Sequence, residues 1–296
     1  MGLFSNYEYW PTRAFYWPCY VWGPLQALRA GHPCFYTALN PGWPGGGIGF
    51  ESKYGILQDA PLAYRPAMIR IIPEIDGTGE LNNLNTQYPN AVNGNQENIG
   101  PHSLAGSDIE GIITALDKQG ISFPFVAKPD VGFRGLLVKI IHDKEQLIKY
   151  LASYPIPIIL QALVTLPTEV GVLYYRFPGE STGHITSVTT KRFLSVTGDG
   201  KSTLRQLILS SDRATRQLPR LEIEFGIQLD KSVPNRDEMV PLGKIGNHSK
   251  GTAFIDSNHL ISPELVTVFD QLTSTMPGFT YGRFDLRCAD ITSLLK

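Results

Sequence analysis

Ile109, Ile112, Ile113 and Leu116 recur at helical spacing, and Ser107 with Glu110 three residues on forms a capping box in front of them. Gly120 stands where a helix closes, so a helix is expected between Ser107 and Gly120. The pattern then changes to short apolar runs bounded by turn residues. Phe123 to Lys128 reads as a strand, Pro129 to Gly135 as a tight loop and Leu136 to Ile141 as a second strand, with a hairpin the simplest connection. Asp143 caps a further helix through Leu151, and Ile156 to Gln161 and Val170 to Arg176 read as strands separated by a Pro-Thr turn. Upstream, Met68 to Ile72 is a short buried strand, whereas Asn82 to Gly100 is an asparagine-rich loop too polar to contribute core. Near the end, Ile291, Leu294 and Leu295 repeat at helical spacing, like a helix cut before its cap.

Between these runs lies TTKRFLSVTGDGKSTLRQLI, Thr189 to Ile208, which carries a Gly-Lys-Ser core. A phosphate-wrapping P-loop needs a glycine five residues before that core, and Ser195 occupies the position. The alternation of strands and helices around a parallel sheet is also missing. What remains is a strand carrying Lys191, a Gly-Asp-Gly turn and a helix opened by Ser202 or Thr203. Asn40 to Gly49, NPGWPGGGIG, is a glycine- and proline-rich turn or loop, and Glu51-Ser52-Lys53 follows it. As a lone glycine run it does not favour a phosphate cradle.

With 296 residues and 42% hydrophobic content, the chain is long enough for two or three subdomains with a sizeable core. A net charge of −1, from 26 basic and 27 acidic residues, offers no field for nucleic acid. Three widely spaced cysteines suggest neither a disulfide framework nor a zinc site, which points to the cytoplasm. The six histidines are scattered, and Asn247-His248-Ser249 matches a glycosylation sequon without any secretion signal. Tyr7, Tyr9, Trp10, Phe15, Tyr16, Trp17, Tyr20 and Trp22 crowd the start. The apolar stretch there is interrupted by Pro18, Gly23 and Pro24 and is too short to span a bilayer. It reads as an interfacial anchor or as an arm packed on the rest of the chain, with the packing arm favoured because Lys and Arg are sparse.

In order, FPFVAKPDVGFRG at 123–135, the GDGKST turn and YGRFDLR at 281–287 resemble the ATP-grasp superfamily, whose members include D-alanine:D-alanine ligase, glutathione synthetase and cyanophycin synthetase. The turn is most similar to the last of these, and the resemblance covers roughly Gly120 to the end. It implies an α+β fold of two α+β lobes with nucleotide between them, behind an aromatic-rich N-terminal region. The corresponding segments are 1–105, 106–186 for the smaller nucleotide-covering lobe and 187–296 for the C-terminal lobe. The implied reaction phosphorylates a carboxylate with ATP and magnesium and lets an amine or thiol attack the acyl phosphate.

Residue by residue, the resemblance places Lys128 over the adenine and α-phosphate and Lys191 on the terminal phosphates; the alternative for each is a snorkelling surface lysine. Gly132 and Gly135 flank Phe133 and Arg134, so that backbone N–H groups and the Arg134 guanidinium could converge on an anion; otherwise the loop is a hairpin tip. Gln161 to Val164 matches the hinge that offers backbone groups to adenine, chiefly Gln161 and Leu163. Ala162 departs from the usual Gln-Glu pair. Glu169 matches a ribose-binding carboxylate, or is simply solvated. Asn247 to Thr252 resembles a loop near substrate or phosphates.

Arg283 and Asp285, two apart on a strand, share one face. The resemblance makes Arg283 the group that stabilises the acyl phosphate and Asp285 a magnesium ligand; a structural Arg-Asp pair is the alternative. It also implies a later Glu-x-Asn strand, which does not occur before Lys296. The expectation is therefore a chain that binds ATP, has an unidentified carboxylate and nucleophile as partners, and turns over little. A nucleotide-binding or membrane-surface interaction protein is the competing reading.

Overall fold

The computed structural model describes residues 10–47, 49, 51–75, 81–87, 109–132, 135–243, 246 and 250–295. In chain order its elements begin with α1 (Thr12–Phe15), α2 (Trp17–Ala30), α3 (Lys53–Gln58), β1 (Met68–Ile75), β2 (Leu81–Gln87), α4 (Ile109–Lys118), β3 (Phe125–Pro129), β4 (Lys139–Ile141), α5 (Lys144–Ser153) and β5 (Ile158–Ala162). They continue with β6 (Thr168–Tyr175), β7 (His184–Arg192), β8 (Ser195–Thr197), α6 (Leu204–Leu209), α7 (Asp212–Thr215), α8 (Leu218–Phe225), α9 (Gln228–Lys231), β9 (Met239–Pro241), β10 (Ala253–Asp256), α10 (Pro263–Thr273) and β11 (Tyr281–Cys288). This is the expected mixture of helices and antiparallel sheet. The chain divides into two compact units, each assembled from separated pieces of sequence.

One unit, Tyr36–Thr165 with Thr267–Tyr281, holds a five-stranded sheet in the order β2-β1-β5-β3-β4. β5 runs antiparallel to both β1 and β3, with Leu160 opposite Ile69 on one side and Ala127 on the other. Those residues join Ile112 and Leu116 of α4 and Leu147 and Tyr150 of α5 in one buried core. At about 1.5–3 kcal/mol for each large apolar side chain taken from water, this layer holds the helices on the sheet. Local signals agree with it. Asp143 accepts from the Gln146 backbone N–H at 2.8 Å as the α5 cap, and Gly120 closes α4 at φ +67°. Ser107, the other half of the expected capping box, lies outside the described residues.

The expected loop from Asn82 is corrected in its first part. β2 pairs antiparallel with β1 from Arg70 opposite Gln87 to Ile75 opposite Leu81. An edge strand is held by its backbone ladder and needs no apolar run, so polarity was a poor guide there. Residues 88–100 lie outside the described residues. The glycine-rich loop has a structural task, because the buried Asn40 donates to the carbonyls of Gly46 and Tyr281 and accepts the N–H groups of Thr280 and Tyr281.

The other unit, of which residues 10–35, 166–243, 246, 250–266 and 282–295 are described, has a four-stranded sheet in the order β10-β7-β6-β11. A helical layer, α6 to α9, closes over the two-stranded β8–β9 sheet around Leu194, Leu204, Ile208, Leu221, Leu229 and Leu242. For α2 the expectation of an N-terminal packing arm is overturned, because α2 has no buried residue and its aromatics stand in solvent; Tyr7 and Tyr9 lie outside the described residues. Among the described residues, no helix is long and apolar enough to cross a membrane.

Candidate functional site

Strand alternation places the first candidate. In β3, Phe125 and Ala127 point into the core, which sends Lys128 to the opposite face of the sheet. Val126 pairs with Gln161 of β5, and the Lys128 Nζ donates to the Gln161 Oε1 at 2.6 Å. β5 ends at Ala162, so Leu163 is the first residue past the strand.

The residue after Pro129 is the one that sequence reasoning missed. Asp130 is fully buried and pairs with Arg70 at 2.8 Å. It accepts the Ser52 hydroxyl at 2.8 and 2.9 Å and the Tyr54 backbone N–H at 2.9 Å. Ser52 is also the α3 cap, accepting from the Gly55 N–H. Ser52 and Lys53 thus clamp the loop that follows Pro129. Lys53 reaches the same loop, its Nζ donating to the Asp130 carbonyl at 3.1 Å. A Cβ added at Gly132 would lie 4.0 Å from that ammonium. Gly135, at φ +72°, opens the following turn, and Arg134 lies outside the described residues.

Burial holds Lys128 down to about 8 from its ordinary 10.5; the Lys53 charge lowers it further, and Asp130 opposes. Between those two values the unfolded chain keeps a proton that the folded chain has released, so stability rises with pH across the window. The contribution is lost as pH falls through about 8. The expected rise is up to about 3 kcal/mol between pH 8 and 10.5. It is measured as the difference between the urea stabilities of the wild type and Lys128→Met. Parallel curves for the two proteins would contradict the assignment.

The second constellation lies on the four-stranded sheet. Register puts Glu169 of β6 opposite Lys191 of β7, and their side chains meet at 2.6 Å. Lys191 also reaches the Asp285 Oδ1 at 3.2 Å, Arg283 holds the Oδ2 at 3.2 Å, and Arg287 pairs with Glu169 at 3.1 Å. Arg283, Asp285 and Arg287 alternate along β11 and so share one face. Gly171 makes room, since a Cβ there would stand 3.3 Å from the Asp285 Oδ1. The Lys191 side chain is only 4% exposed, whereas that of Asp285 is 44% exposed and Arg283 is more open still. Three cations therefore surround two carboxylates, with the buried ammonium fixed at the centre.

The GDGKST turn is no phosphate cradle. Asp199 accepts the Lys201 and Ser202 backbone N–H groups at 2.8 and 2.7 Å and the Ser202 hydroxyl at 2.7 Å. Those hydrogen bonds bring its carboxyl down to about 2. The N–H groups that a P-loop would aim at phosphate point at a carboxylate instead, and Thr203 with Gln206 forms the capping box of α6. In the Asn247 to Thr252 loop, residues 247–249 lie outside the described residues. Just before it, a Cβ at Gly246 would fall 2.3 Å from the Glu169 Oε1, so this backbone closes over the carboxylate.

The candidates thus gather in two places: Lys128 with Gln161 beside the Gly132 loop, and Glu169, Lys191, Arg283 and Asp285 together. Neither a family model nor a curated protein sequence matches the chain. Among solved structures, it aligns with a bifunctional glutathione synthetase from Pasteurella multocida (18% identity over 62% of this chain and 26% of that one, TM-score 0.33). It also aligns with a D-alanine–D-alanine ligase from Bacillus anthracis (16% identity, 60% of this chain and 43% of that one, TM-score 0.33). A third is an N5-carboxyaminoimidazole synthetase from Staphylococcus aureus complexed with ADP (10% identity, 62% of this chain and 61% of that one, TM-score 0.24). All three are synthetases or ligases by name, and the chain spans less than two thirds of each.

Proposed function

We propose that the chain binds ATP with magnesium and acts as a ligase of the ATP-grasp type, activating a carboxylate as an acyl phosphate for attack by an amine or thiol. The observation that supports this reading best is the buried Lys191, held by Glu169 and Asp285 beside Arg283. Phosphoryl transfer depends on positioning and charge neutralisation, and an ammonium fixed before substrate arrives needs no reorganisation. Lys191 meets the terminal phosphates. Glu169, with one oxygen on Lys191 and the other on Arg287, is the anchor of that lysine. Lys128 takes the α-phosphate and adenine side, Gln161 fixes its ammonium, and Gly132, Gly135 and Leu163 supply backbone groups. Arg283, open to solvent on the same strand face, stabilises charge on the acyl phosphate.

Magnesium has a modest donor set here. Among the described residues there is no group of three or more His, Cys, Asp or Glu able to hold a metal. Asp285 fits the part of a single protein ligand, because it is partly exposed and its 3.2 Å ion pairs are longer than tight charge-assisted contacts. A magnesium ion that keeps waters and phosphate oxygens needs only one or two carboxylates, and when bound it would neutralise phosphate charge. A second reading is nucleotide binding without turnover. It is favoured by the fact that each Asp285 oxygen already faces a cation.

ADP release with a pool of amino-acid and peptide carboxylates tests the proposal. The ligase reading expects substrate-dependent release that falls about 100-fold in Arg283→Ala. Release that is insensitive to Arg283→Ala contradicts the reading. ATP binding without release under any carboxylate assigns the chain to the second one.

A further inference from the structure

α2 carries Trp17, Tyr20, Val21, Pro24, Leu25 and Leu28 at i, i+3, i+4, i+7, i+8 and i+11, which is one face of a helix. The five large side chains among them are 47–78% exposed, and α2 has no buried residue. A continuous apolar face of this kind on a folded chain marks an interaction surface. Its composition and surrounding charge indicate what it meets. Tyr16 and Trp22 stand exposed beside the stripe, adding rings with an apolar body and a polar atom, the type that settles at the level of lipid headgroups. From Tyr9 to Phe50 the sequence has no acidic residue, while Arg13 and Arg29 stand near the two ends of the stripe.

We propose that α2 is a docking helix for an anionic lipid surface, lying in the plane of the interface with this face down. At 14 residues and about 1.5 Å per residue it is roughly 21 Å long, short of the ~30 Å hydrocarbon core, so it lies on the bilayer. With only two arginines here, apolar burial supplies most of the attachment, and the acid-free flank, which adds no repulsion, sets the preference for anionic over zwitterionic headgroups. Pro24 sits within the stripe, where a fluid surface accommodates its ring and a knobs-into-holes seam with a second copy does not. This inference is independent of the ligase reading, since it uses no residue of either constellation.

Flotation of the full chain with phosphatidylcholine vesicles, with and without phosphatidylserine, tests it. The protein is expected to float with the mixed vesicles, less with phosphatidylcholine alone, and with blue-shifted tryptophan fluorescence. Leu25→Glu with Leu28→Glu is expected to reduce flotation to the vesicle-free level. Both positions are exposed, so the fold is retained and circular dichroism stays unchanged. Three results would overturn the proposal: no flotation with either vesicle, equal flotation of the double variant, or a lipid-free dimer, abolished by the same substitutions, in sedimentation equilibrium.

Discussion

Asp130→Ala is expected to lower the unfolding free energy by about 3–5 kcal/mol, the largest single-residue effect on stability in this account. Asp130 is fully buried, and three groups depend on its carboxylate: the Arg70 guanidinium, the Ser52 hydroxyl and the Tyr54 N–H. Alanine removes the carboxylate while the cation and the donors stay where packing holds them. The cost is therefore desolvation of unmatched partners as well as the lost contacts. Asp130→Asn keeps the volume and one acceptor and gives up the charge, so a smaller loss of about 1.5–3 kcal/mol is expected. Urea denaturation at neutral pH measures both. A loss under about 1 kcal/mol for the alanine variant, the value of an exposed pair, would contradict the clamp.

The second large effect concerns nucleotide affinity. Lys128→Ala and Lys191→Ala are each expected to weaken ATP binding by about 1.5–3 kcal/mol, roughly 10- to 100-fold. Lys191 should lie at the upper end for a reason visible in its surroundings. It is one of three cations set against two carboxylates, and its loss takes the local balance from +1 to zero in addition to removing a direct contact. The fold survives the change, because Glu169 keeps Arg287 and Asp285 keeps Arg283. Lys128 has the Gln161 side-chain amide oxygen as its hydrogen-bond acceptor, and its removal leaves a neutral group behind.

Much of the element order was legible because it is local. The Asp143 cap, the Gly120 closure and the β3–β4 hairpin are read from residues within a few positions of one another, and they stand in the structure. Lys191 and Asp285 were legible as chemistry on strands, and the sharing of one face by Arg283 and Asp285 follows from a period of two. The meeting of Glu169 with Lys191 depends on the register of β6 against β7, which no short-range pattern specifies. Asp130 was missed for a similar reason. Its partners come from 60 to 78 positions upstream, so nothing near Pro129 marks it as the centre of a network; the available signal was a lone acid after Lys-Pro in a chain that also carries Glu-Ser-Lys. The polar sequence of β2 predicts a loop because polarity reports side-chain burial, while an edge strand is specified by its backbone partner. Sparse Lys and Arg favour a packed arm at the aromatic start, but whether α2 is covered depends on contacts with distant parts of the chain, which no local pattern reports.

Calorimetric titration of magnesium-ATP into the wild-type chain, Lys128→Ala and Lys191→Ala tests the central claim most directly. Saturable binding by the wild type, a 10- to 100-fold weaker constant in each variant and the larger loss for Lys191 are expected. Affinities in both variants equal to that of the wild type would contradict it.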